Sequence, residues 1–261
     1  MSNTTVAISI VTYNSTHIFK VLDHLRKEFE QDNRFHFFIF DNNSTDTYKE
    51  QLKEYENFAK ITFYHENNGF GFGHNHNLLI ATEDYFLIFN PDIILEKENL
   101  LRMLDVMEQD PTISLLAPKV LNPDGSVQHL MRKRVTVFDY WLRFMPFKFI
   151  KTMFAKRLET YECRNVPDDR NIEIRMVSGC FMLIRGTDFK EIKGFDERYF
   201  MYFEDTDLCL ELEKRNKKVV YTPFSSVVHY YERGSHKNSK LFKIFLKSMY
   251  KYFNKWGWKL F

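Results

Sequence analysis

Five runs of apolar residues recur along the first half of the chain without the polar alternation of a half-exposed strand. They lie at residues 6–13, 35–40, 61–65, 85–90 and 113–118 and are rich in β-branched and aromatic side chains. Strands that are buried on both faces have this pattern, and they are typical of parallel sheets. The pattern therefore predicts five interior strands.

Polar segments with helical spacing separate these runs. Apolar residues recur at intervals of three and four within residues 18–29 and 100–107, and Leu78 with Ala81 marks a weaker third segment. Alternating strands and helices predict a parallel sheet with right-handed crossovers, and such sheets bind ligands beyond the carboxyl ends of their strands. We therefore predict an α/β fold with a mostly parallel central sheet.

Beyond residue 120 the pattern becomes less regular. A basic, aromatic stretch is followed by a strand-like segment at 175–185 and by a loop that enters an amphipathic helix within 194–216. The sequence contains no linker rich in Pro, Gly or Ser and no internal repeat, so we predict one domain.

The composition narrows the class of protein. The 261 residues include 27 Phe, 14 Tyr and 3 Trp, which suit a ligand cleft or a membrane interface as well as a core. Three cysteines match neither a disulfide framework nor a zinc pattern, which predicts buried thiols. No stretch approaches the roughly 20 apolar residues of a membrane span, and residues 1–14 lack the features of a secretory signal. We therefore expect a cytoplasmic protein.

Polar or glycine-rich residues follow four of the predicted strands. They are TYN at 12–14, DNNSTD at 41–46, ENNGFGFGHN at 66–75 and NPD at 90–92. The carboxyl ends of parallel strands meet at one edge of a sheet, so these four loops are predicted to line one cleft.

Two of these loops have an ordinary structural interpretation beside a functional one. Asp41 opens a series of turn-forming residues in which Ser44 or Asp46 would cap the next helix. At the edge of a cleft, its carboxylate is also suited to accept the imide N–H of a pyrimidine base. The glycines of 66–75 let backbone N–H groups approach an anion, although they recur at every second residue and match neither common phosphate-binding fingerprint.

Asp92 follows an Asn-Pro pair directly after a buried strand. Turn chemistry explains this sequence, but a rigid carboxylate in the predicted cleft also suits a hard divalent cation that bridges a diphosphate. His229 is a candidate for a further metal ligand, although a lone histidine more often has a structural role.

Three carboxylates, those of Glu204, Asp205 and Asp207, lie near the start of the last predicted helix. The helix dipole and capping favour acidic residues there, which is the ordinary interpretation. Carboxylates so close together also repel one another and raise the pKa of at least one of them. A helix start beside a cleft is a suitable place for a general base.

Seven motifs occur in a fixed order over roughly residues 5 to 236. They are SIVTYN, DNNSTD, NxGFGxGHN, NPD, SGCFMLIR, GFDERYFMYFEDTDL and a later His. In this order they resemble glycosyltransferase family 2 with the GT-A fold, and more closely its bacterial rhamnosyltransferase branch. The resemblance implies a nucleotide-sugar-binding half at 1–120 and an acceptor-binding, catalytic half at 121–236. It also implies transfer of L-rhamnose from dTDP-L-rhamnose to a lipid-linked saccharide acceptor in cell-envelope polysaccharide synthesis.

The resemblance, matched position by position, implies a set of contacts with the nucleotide sugar. Thr12 and Tyr13 would border the nucleobase and Asp41 would bond to its imide, whereas the glycine loop would lie near the ribose and diphosphate. The full implied set is Thr12, Tyr13, Asn14, Asp41, Asn68, Gly69, His74, Asn75 and Asn90.

The resemblance also implies a mechanism. Asp205 would remove a proton from an acceptor hydroxyl that attacks opposite the nucleotide and inverts the anomeric centre, and Glu204 would help to shape the acceptor pocket. Asp92 and His229 would hold Mg²⁺ or Mn²⁺, which stabilises the departing diphosphate. Asn90 replaces the first Asp of the family's DxD motif, which predicts weaker metal affinity.

Two other interpretations of the function remain open. The donor is a UDP-sugar in one, and the protein is a catalytically inactive, nucleotide-binding membrane scaffold in the other. The intact FEDTD sequence at 203–207 disfavours the scaffold. Nucleic acid is not expected as a partner, because the predicted cleft is acidic.

The formal net charge of +2 is unevenly distributed. Residues 131–160 carry +6 and residues 236–261 carry +7, which leaves −11 on the rest of the chain. On a helix at 237–261, lysines spaced every four residues would form one slanted stripe. They are Lys243, Lys247, Lys251, Lys255 and Lys259.

This C-terminal segment has two interpretations. It is a helix packed on the domain with its lysines in water, or an interfacial helix with Trp256, Trp258 and Phe261 at the acyl boundary. We favour membrane association, because the predicted acceptor is lipid-linked. Residues 132–157 have the same basic, aromatic character and are predicted to form a second contact near the acceptor site, so the protein is expected at the inner face of the cytoplasmic membrane.

Overall fold

The computed structural model describes residues 4–230 and 239–261. The strands within these ranges are β1 (Val6–Thr12), β2 (Phe35–Asp41), β3 (Ala59–Phe63), β4 (Tyr85–Phe89), β5 (Ile93–Ile94), β6 (Ile113–Leu121), β7 (Ile172–Glu173), β8 (Phe181–Arg185) and β9 (Lys218–His229). The helices are α1 (Ile18–Phe29), α2 (Asp46–Lys53), α3 (Phe70–Leu78), α4 (Lys97–Gln109), α5 (Val137–Phe144), α6 (Lys148–Met153), α7 (Ala155–Tyr161), α8 (Gly186–Glu191), α9 (Glu204–Glu213) and α10 (Ser239–Trp256).

The described strands form one sheet in the order β3-β2-β1-β4-β8-β6-β9-β5, and β7 pairs with β9. Strands β1 to β4 are mutually parallel, so their carboxyl ends lie at one edge as predicted. Strand β8 runs antiparallel to both of its neighbours, β4 and β6, which makes the sheet mixed. The predicted α/β fold with a mostly parallel central sheet is confirmed.

A hydrophobic core covers each face of the sheet. Tyr85, Leu87 and Phe89 of β4 belong to one core, together with apolar residues of α1, α2 and α4. Phe86 and Ile88 belong to the other, together with residues of α8, α9 and α10. Burial on both faces is the reason why this strand is a continuous apolar run. The three cysteines are free and buried, as predicted.

Strand β9 is twelve residues long, and the apolar pattern does not reveal it. It pairs in parallel with β6, but the register shifts because Pro118 pairs with Thr222 and Lys119 pairs with Ser226. The skipped residues include Pro223, which lacks the N–H that a ladder requires. The strand ends at His229, so this irregular element positions a predicted site residue.

Other predicted boundaries need correction. Helix α3 begins at Phe70 and ends at Leu78, so Ala81 lies beyond it. Within 175–185 only the last five residues form a strand. The C-terminal helix occupies Ser239–Trp256 of the predicted 237–261, and residues 231–238 lie outside the described chain. Across the described ranges, no helix is both long enough and apolar enough to cross a membrane.

Candidate active site

A cavity of about 480 Å³ opens at the carboxyl edge of β1 and β4. Eight of the predicted site residues line it: Thr12, Tyr13, Gly69, Asn90, Asp92, Glu204, Asp205 and His229. The structure therefore brings the NPD turn, the acidic helix start and the late histidine together, although they lie far apart in sequence. Asn14, Asp41, Asn68, His74 and Asn75 are not among the lining residues.

The turn after β4 places Asp92 beside His229. The Asn90 N–H donates to the Cys180 carbonyl over 2.9 Å, and the Tyr230 N–H donates to the Asp92 carbonyl over 2.9 Å. Strand β5 then pairs antiparallel with β9, with Ile93 opposite His229. As a result, Asp92 Oδ1 lies 3.2 Å from His229 Nε2.

These two side chains fit a divalent cation. Asp92 Oδ1 is buried and has no hydrogen-bond partner within the described part of the chain. A carboxylate oxygen beside an imidazole nitrogen is a mixed donor pair that suits Mn²⁺ better than Mg²⁺, which prefers oxygen ligands. No cluster of three or more His, Cys, Asp or Glu suited to a metal occurs in residues 4–230 and 239–261.

The acidic helix α9 begins in an unusual backbone turn. Tyr202 and Phe203 have φ values of 71° and 70°, in the left-handed region that residues with a Cβ rarely adopt. Such a conformation costs on the order of 1–3 kcal/mol, and it is retained where surrounding packing enforces it. Here Phe203 packs against Tyr140, Phe245 and Tyr252. The turn directs the first residues of α9 at the cavity.

The carboxylate of Asp205 is held in one orientation. Gly179 N–H donates to its Oδ2 over 2.9 Å, and Thr206 N–H donates to its Oδ1 over 2.6 Å. Burial raises the pKa of Asp205, while these bonds act in the opposite direction. A carboxylate that is oriented and more basic than an exposed one is suited to accept a proton from a hydroxyl.

Glu204 has a different environment from its neighbour. Burial, followed by the charge of Asp205, raises the pKa of Glu204 to about 8. The predicted direction of the shift is correct, but burial is a larger cause than the repulsion between carboxylates that the sequence suggests. Glu204 is therefore mostly protonated at neutral pH, and only Asp205 of the two is suited to the role of a base.

Asp207 faces away from this chemistry and joins α9 to α10. Its carboxylate accepts hydrogen bonds from Lys255 Nζ over 2.9 Å and from Trp256 Nε1 over 2.7 Å. Lys255 also pairs with Asp196 over 3.2 Å and with Glu211 over 3.0 Å. Lys255 and Trp256, which belong to the predicted membrane helix, therefore bind to the domain itself.

Asn14 and Asp41 connect the loops that follow β1 and β2. The Asn14 N–H donates to Ser44 Oγ over 2.8 Å. The Asp41 carboxylate is fully buried and accepts the Ser44 N–H over 3.0 Å. Ser44 does not cap α2, which begins at Asp46 without a side-chain cap. Recognition of a base by Asp41 stays a prediction.

His74 and Asn75 are buried and do not line the cavity, and their predicted place near the ribose and diphosphate stays a prediction. His74 is fully buried, its Nδ1 lies 2.8 Å from Ser9 Oγ, and burial lowers its pKa to about 3. Asn75 donates from Nδ2 to the Phe195 carbonyl over 2.9 Å and accepts the Phe195 N–H over 2.8 Å. Their polar groups therefore fix α3 to the sheet and to the chain at Phe195.

The glycine loop has a packing role. Gly69 has a φ of +94°, and a Cβ added there would lie 2.0 Å from the Phe200 carbonyl oxygen. The Phe70 N–H donates to the same oxygen over 3.0 Å, so this amide at the start of α3 is already bonded. The Asn68 N–H donates to Asn42 Oδ1 over 3.3 Å. The loop therefore brings two chain segments into close contact.

Several residues that line the cavity have no role assigned from the sequence. Gly179 lies within the quoted SGCFMLIR motif, but only the structure shows its N–H bonded to Asp205. Arg132 and Arg143 come from the basic segment, and Leu241 and Phe245 come from α10. The sequence indicated these four residues only through the basic, aromatic composition of the two segments in which they lie.

Comparison with known proteins gives the family of the chain. Residues 7–192 match the family model described as Glycosyl transferase family 2. The chain is 30% identical over 266 residues to "Rhamnosyltransferase WbbL" of Escherichia coli (strain K12). The aligned region covers 95% of this chain and 92% of that protein. The chain thus belongs to glycosyl transferase family 2 and is a glycosyltransferase with a rhamnosyltransferase-like sequence.

A second relative and a solved structure show narrower likenesses. Over 154 residues the chain is 31% identical to "N-acetylglucosaminyl-diphospho-decaprenol L-rhamnosyltransferase" of Mycobacterium tuberculosis (strain ATCC 25618 / H37Rv), which covers 57% of this chain and 47% of that protein. The crystal structure of GalNAc-T7 with UDP, GalNAc and Mn²⁺ aligns with a TM-score of 0.65 over 87% of this chain and 43% of that chain, at 15% identity. The structural likeness confirms the GT-A fold.

Proposed function

We propose that this glycosyltransferase transfers L-rhamnose from dTDP-L-rhamnose to a lipid-linked saccharide acceptor, with inversion, in the synthesis of a cell-envelope polysaccharide. One observation carries the proposal: Asp205 and the pair of Asp92 and His229 line the same cavity. Sugar transfer requires a base at the acceptor hydroxyl and stabilisation of the leaving diphosphate. The cavity has candidate groups for both tasks.

Asp205 is the proposed general base. Its Oδ atoms are oriented by the N–H groups of Gly179 and Thr206, and burial raises its pKa. It takes the proton of the acceptor hydroxyl while the hydroxyl oxygen bonds to the anomeric carbon. The bond from that carbon to the diphosphate breaks on the opposite face, so the configuration inverts.

Asp92 and His229 are the proposed cation ligands. A bound Mg²⁺ or Mn²⁺ would neutralise the charge that develops on the leaving diphosphate. Because Asn90 contributes no carboxylate, we expect the cation to bind weakly alone and more tightly with the nucleotide. Thr12 and Tyr13 line the neighbouring wall, where we place the nucleoside.

The printed names of the relatives support the donor sugar and the acceptor class. Both proteins are named rhamnosyltransferases, and the mycobacterial name specifies a diphospho-decaprenol acceptor. Arg132 and Arg143 line the same cavity, and guanidinium groups suit a diphosphate. We assign the acceptor diphosphate to these arginines and the first part of its lipid to Leu241 and Phe245.

We further propose a membrane-facing surface, which we define as the exposed side chains of α5, α6, α10 and the C-terminal tail. Its two parts are joined, because the Val137 N–H donates to the Lys259 carbonyl over 2.9 Å and Phe138 contacts Phe261. Its exposed aromatic and apolar members are Trp141, Phe149, Met153, Phe242, Leu246, Tyr250, Trp258, Leu260 and Phe261, and Phe147 is exposed just before α6. Exposed lysines on the same segments suit anionic headgroups. The protein would then be peripheral on the cytoplasmic membrane.

The predicted lysine stripe needs a correction here. Lys255 is paired with acidic residues of the domain, and Lys251 donates to the Arg198 carbonyl. Trp256 is half-buried and its indole N–H donates to Asp207, so part of this side chain is engaged with the domain, and its place at an acyl boundary stays a prediction. The remaining three lysines of the stripe, Lys243, Lys247 and Lys259, are exposed.

The test of the proposed function is release of dTDP from dTDP-L-rhamnose with a diphospho-polyprenol-linked saccharide acceptor. We expect inverted product from the wild-type protein and a loss on the order of 10² to 10⁴ in rate for Asp205→Asn. Asp105→Asn, on the exposed face of α4, is the matched control. Turnover with UDP-sugars alone would overturn the donor, and full activity of Asp205→Asn would remove the proposed base.

A further inference from the structure

A glutamine that is not among the predicted site residues contacts the imidazole of His229 at the nitrogen that does not face Asp92. His229 Nδ1 lies 2.9 Å from Gln128 Oε1. Gln128 Nε2 in turn donates to the His229 carbonyl over 2.9 Å. Gln128 therefore contacts both the side chain and the backbone of the residue whose Nε2 faces Asp92 Oδ1.

The orientation of the Gln128 amide follows from its partners. A backbone carbonyl only accepts hydrogen bonds, so the atom that contacts the His229 carbonyl must be the NH₂ group. The same NH₂ group donates to Asn122 Oδ1 over 2.8 Å. With its nitrogen fixed by two acceptors, the Gln128 amide presents its oxygen to His229 Nδ1.

A second amide supports this arrangement. Asn122 Nδ2 donates to Ser126 Oγ over 2.8 Å, and Ser126 Oγ donates its proton to Asp124 Oδ1 over 2.6 Å. Because the Ser126 proton is committed to a carboxylate, its oxygen must accept from the NH₂ group of Asn122. The Asn122 oxygen therefore faces Gln128, which agrees with the orientation deduced for the glutamine.

The loop that carries these residues is fixed to the strand that carries the histidine. Gln128 N–H donates to the Val120 carbonyl of β6 over 2.8 Å. Strand β6 pairs in parallel with β9, with Val120 opposite Val227 and Leu121 opposite Val228. The sequence offers no periodicity or motif that marks Gln128, because this contact depends on the pairing of β6 with β9.

We propose that Gln128 is a positioning residue that sets the tautomer of His229. An acceptor oxygen at Nδ1 requires Nδ1 to carry the proton, so the lone pair lies on Nε2. That nitrogen lies 3.2 Å from a carboxylate oxygen of Asp92, and a cation held by both residues would stabilise the arrangement. Hydrogen bonds of this kind orient metal-binding histidines and raise their affinity for the metal. The inference rests on the proposed function only for the identity of the cation site.

The test combines side-chain ¹⁵N NMR with Mn²⁺ binding, and neither measurement depends on turnover. At about pH 8, the Nδ1–H tautomer is expected for His229 of the wild-type protein. In Gln128→Leu we expect the Nε2–H tautomer to grow and Mn²⁺ affinity with dTDP present to fall by about 10- to 100-fold.

The controls distinguish a failure of the proposed role of Gln128 from a failure of the proposed cation site. Gln51→Leu, on the exposed face of α2, should change neither measurement, and circular dichroism checks the fold of each variant. A wild-type Nε2–H tautomer, or a tautomer unchanged in a folded Gln128→Leu, would overturn the role of Gln128. A wild-type Nδ1–H tautomer without Mn²⁺ binding would instead overturn the cation site of the proposed function.

Discussion

The Trp256 indole N–H donates to Asp207 Oδ1 over 2.7 Å, which joins the last turn of α10 to the first turn of α9. Asp207 lies two residues after Asp205, so the C-terminal helix contacts the backbone segment that carries the proposed base. Ser248 Oγ of α10 also donates to the Met201 carbonyl over 2.8 Å, just before the left-handed turn. The C-terminal helix therefore supports helix α9, which carries the proposed base.

Loss of the Lys255 ammonium is expected to destabilise this contact. Asp207 is almost fully buried, so Lys255→Met leaves a carboxylate without its main countercharge. We expect the free energy of unfolding to fall by about 2–3 kcal/mol, as for other broken buried pairs. Urea denaturation measures this. Asp207→Asn in the same chain should recover part of the loss, because it removes the unpaired charge. Lys247→Met, exposed on the same helix, is the control, and an equal loss there would contradict the assignment.

The elevated pKa of Glu204 predicts a specific dependence of stability on pH. Its pKa is about 8 in the folded protein against an ordinary value of 4.5, so the folded state binds the proton more tightly. The stabilisation is complete below about pH 4.5 and is lost as the pH rises through about 8. Glu204→Gln should therefore be more stable than the wild-type protein at alkaline pH and show a flatter profile. Thermal unfolding between pH 5 and 9, at about one-unit steps, measures this difference.

The control for this prediction is an exposed acid. Glu30→Gln, at the end of α1, should leave the difference between acid and alkaline stability unchanged. Parallel profiles for wild-type protein and Glu204→Gln would show that Glu204 titrates with an ordinary pKa. In that case the burial of Glu204 would not raise its pKa.

Substitution of Gly69 tests the packing of the glycine loop, and Gly125, which lies outside that loop, is the matched control. Both have positive φ values, +94° and +83°, but a Cβ would meet the Phe200 backbone at Gly69 and nothing within 4 Å at Gly125. Gly125→Ala is expected to cost about 1 kcal/mol from backbone strain alone. Gly69→Ala adds a collision with backbone and is expected to cost at least about 2 kcal/mol more, measured by urea denaturation. Equal costs would contradict the close contact.

The apolar runs predict the sheet well because burial on both faces leaves a plain mark in the residues of β1, β2 and β4. The site is predicted only in part. Asp92 and Asp205 line the cavity as expected, because rigid turns and acidic helix starts have recognisable chemistry, and their roles stay predictions. The polar character of His74 and Asn75 does not reveal that their partners are core atoms at Ser9 and Phe195.

Long-range pairing limits the rest of the prediction. The position of His229 beside Asp92 depends on the pairing of β5 with β9, and β9 has no regular apolar pattern. The ion pair of Lys255 with Asp207 joins residues 48 positions apart, and a regular lysine spacing suggested a solvent-facing stripe instead. Local patterns cannot report contacts that arise only after distant elements pack.

The membrane-facing surface makes the last prediction. Phe149 and Met153 are 71% and 69% exposed on α6, so replacing both with Ser should leave the free energy of unfolding nearly unchanged. Co-sedimentation with vesicles of phosphatidylglycerol and phosphatidylcholine is expected to weaken by roughly tenfold, because two large apolar side chains are lost from the interface. Turnover of a lipid-linked acceptor in those vesicles should fall with it.

The control is Phe224→Ser. Phe224 is an exposed aromatic residue of β9 that is 53% accessible and lies outside both basic segments. Its vesicle binding should match the wild-type protein. Because lysine attraction is screened by salt, binding of the wild-type protein should also weaken as ionic strength rises, whereas the contribution of Phe149 and Met153 should persist. Equal vesicle binding by the α6 double variant and the wild-type protein would exclude α6 from the interface and leave the tail and α10 as the remaining contact.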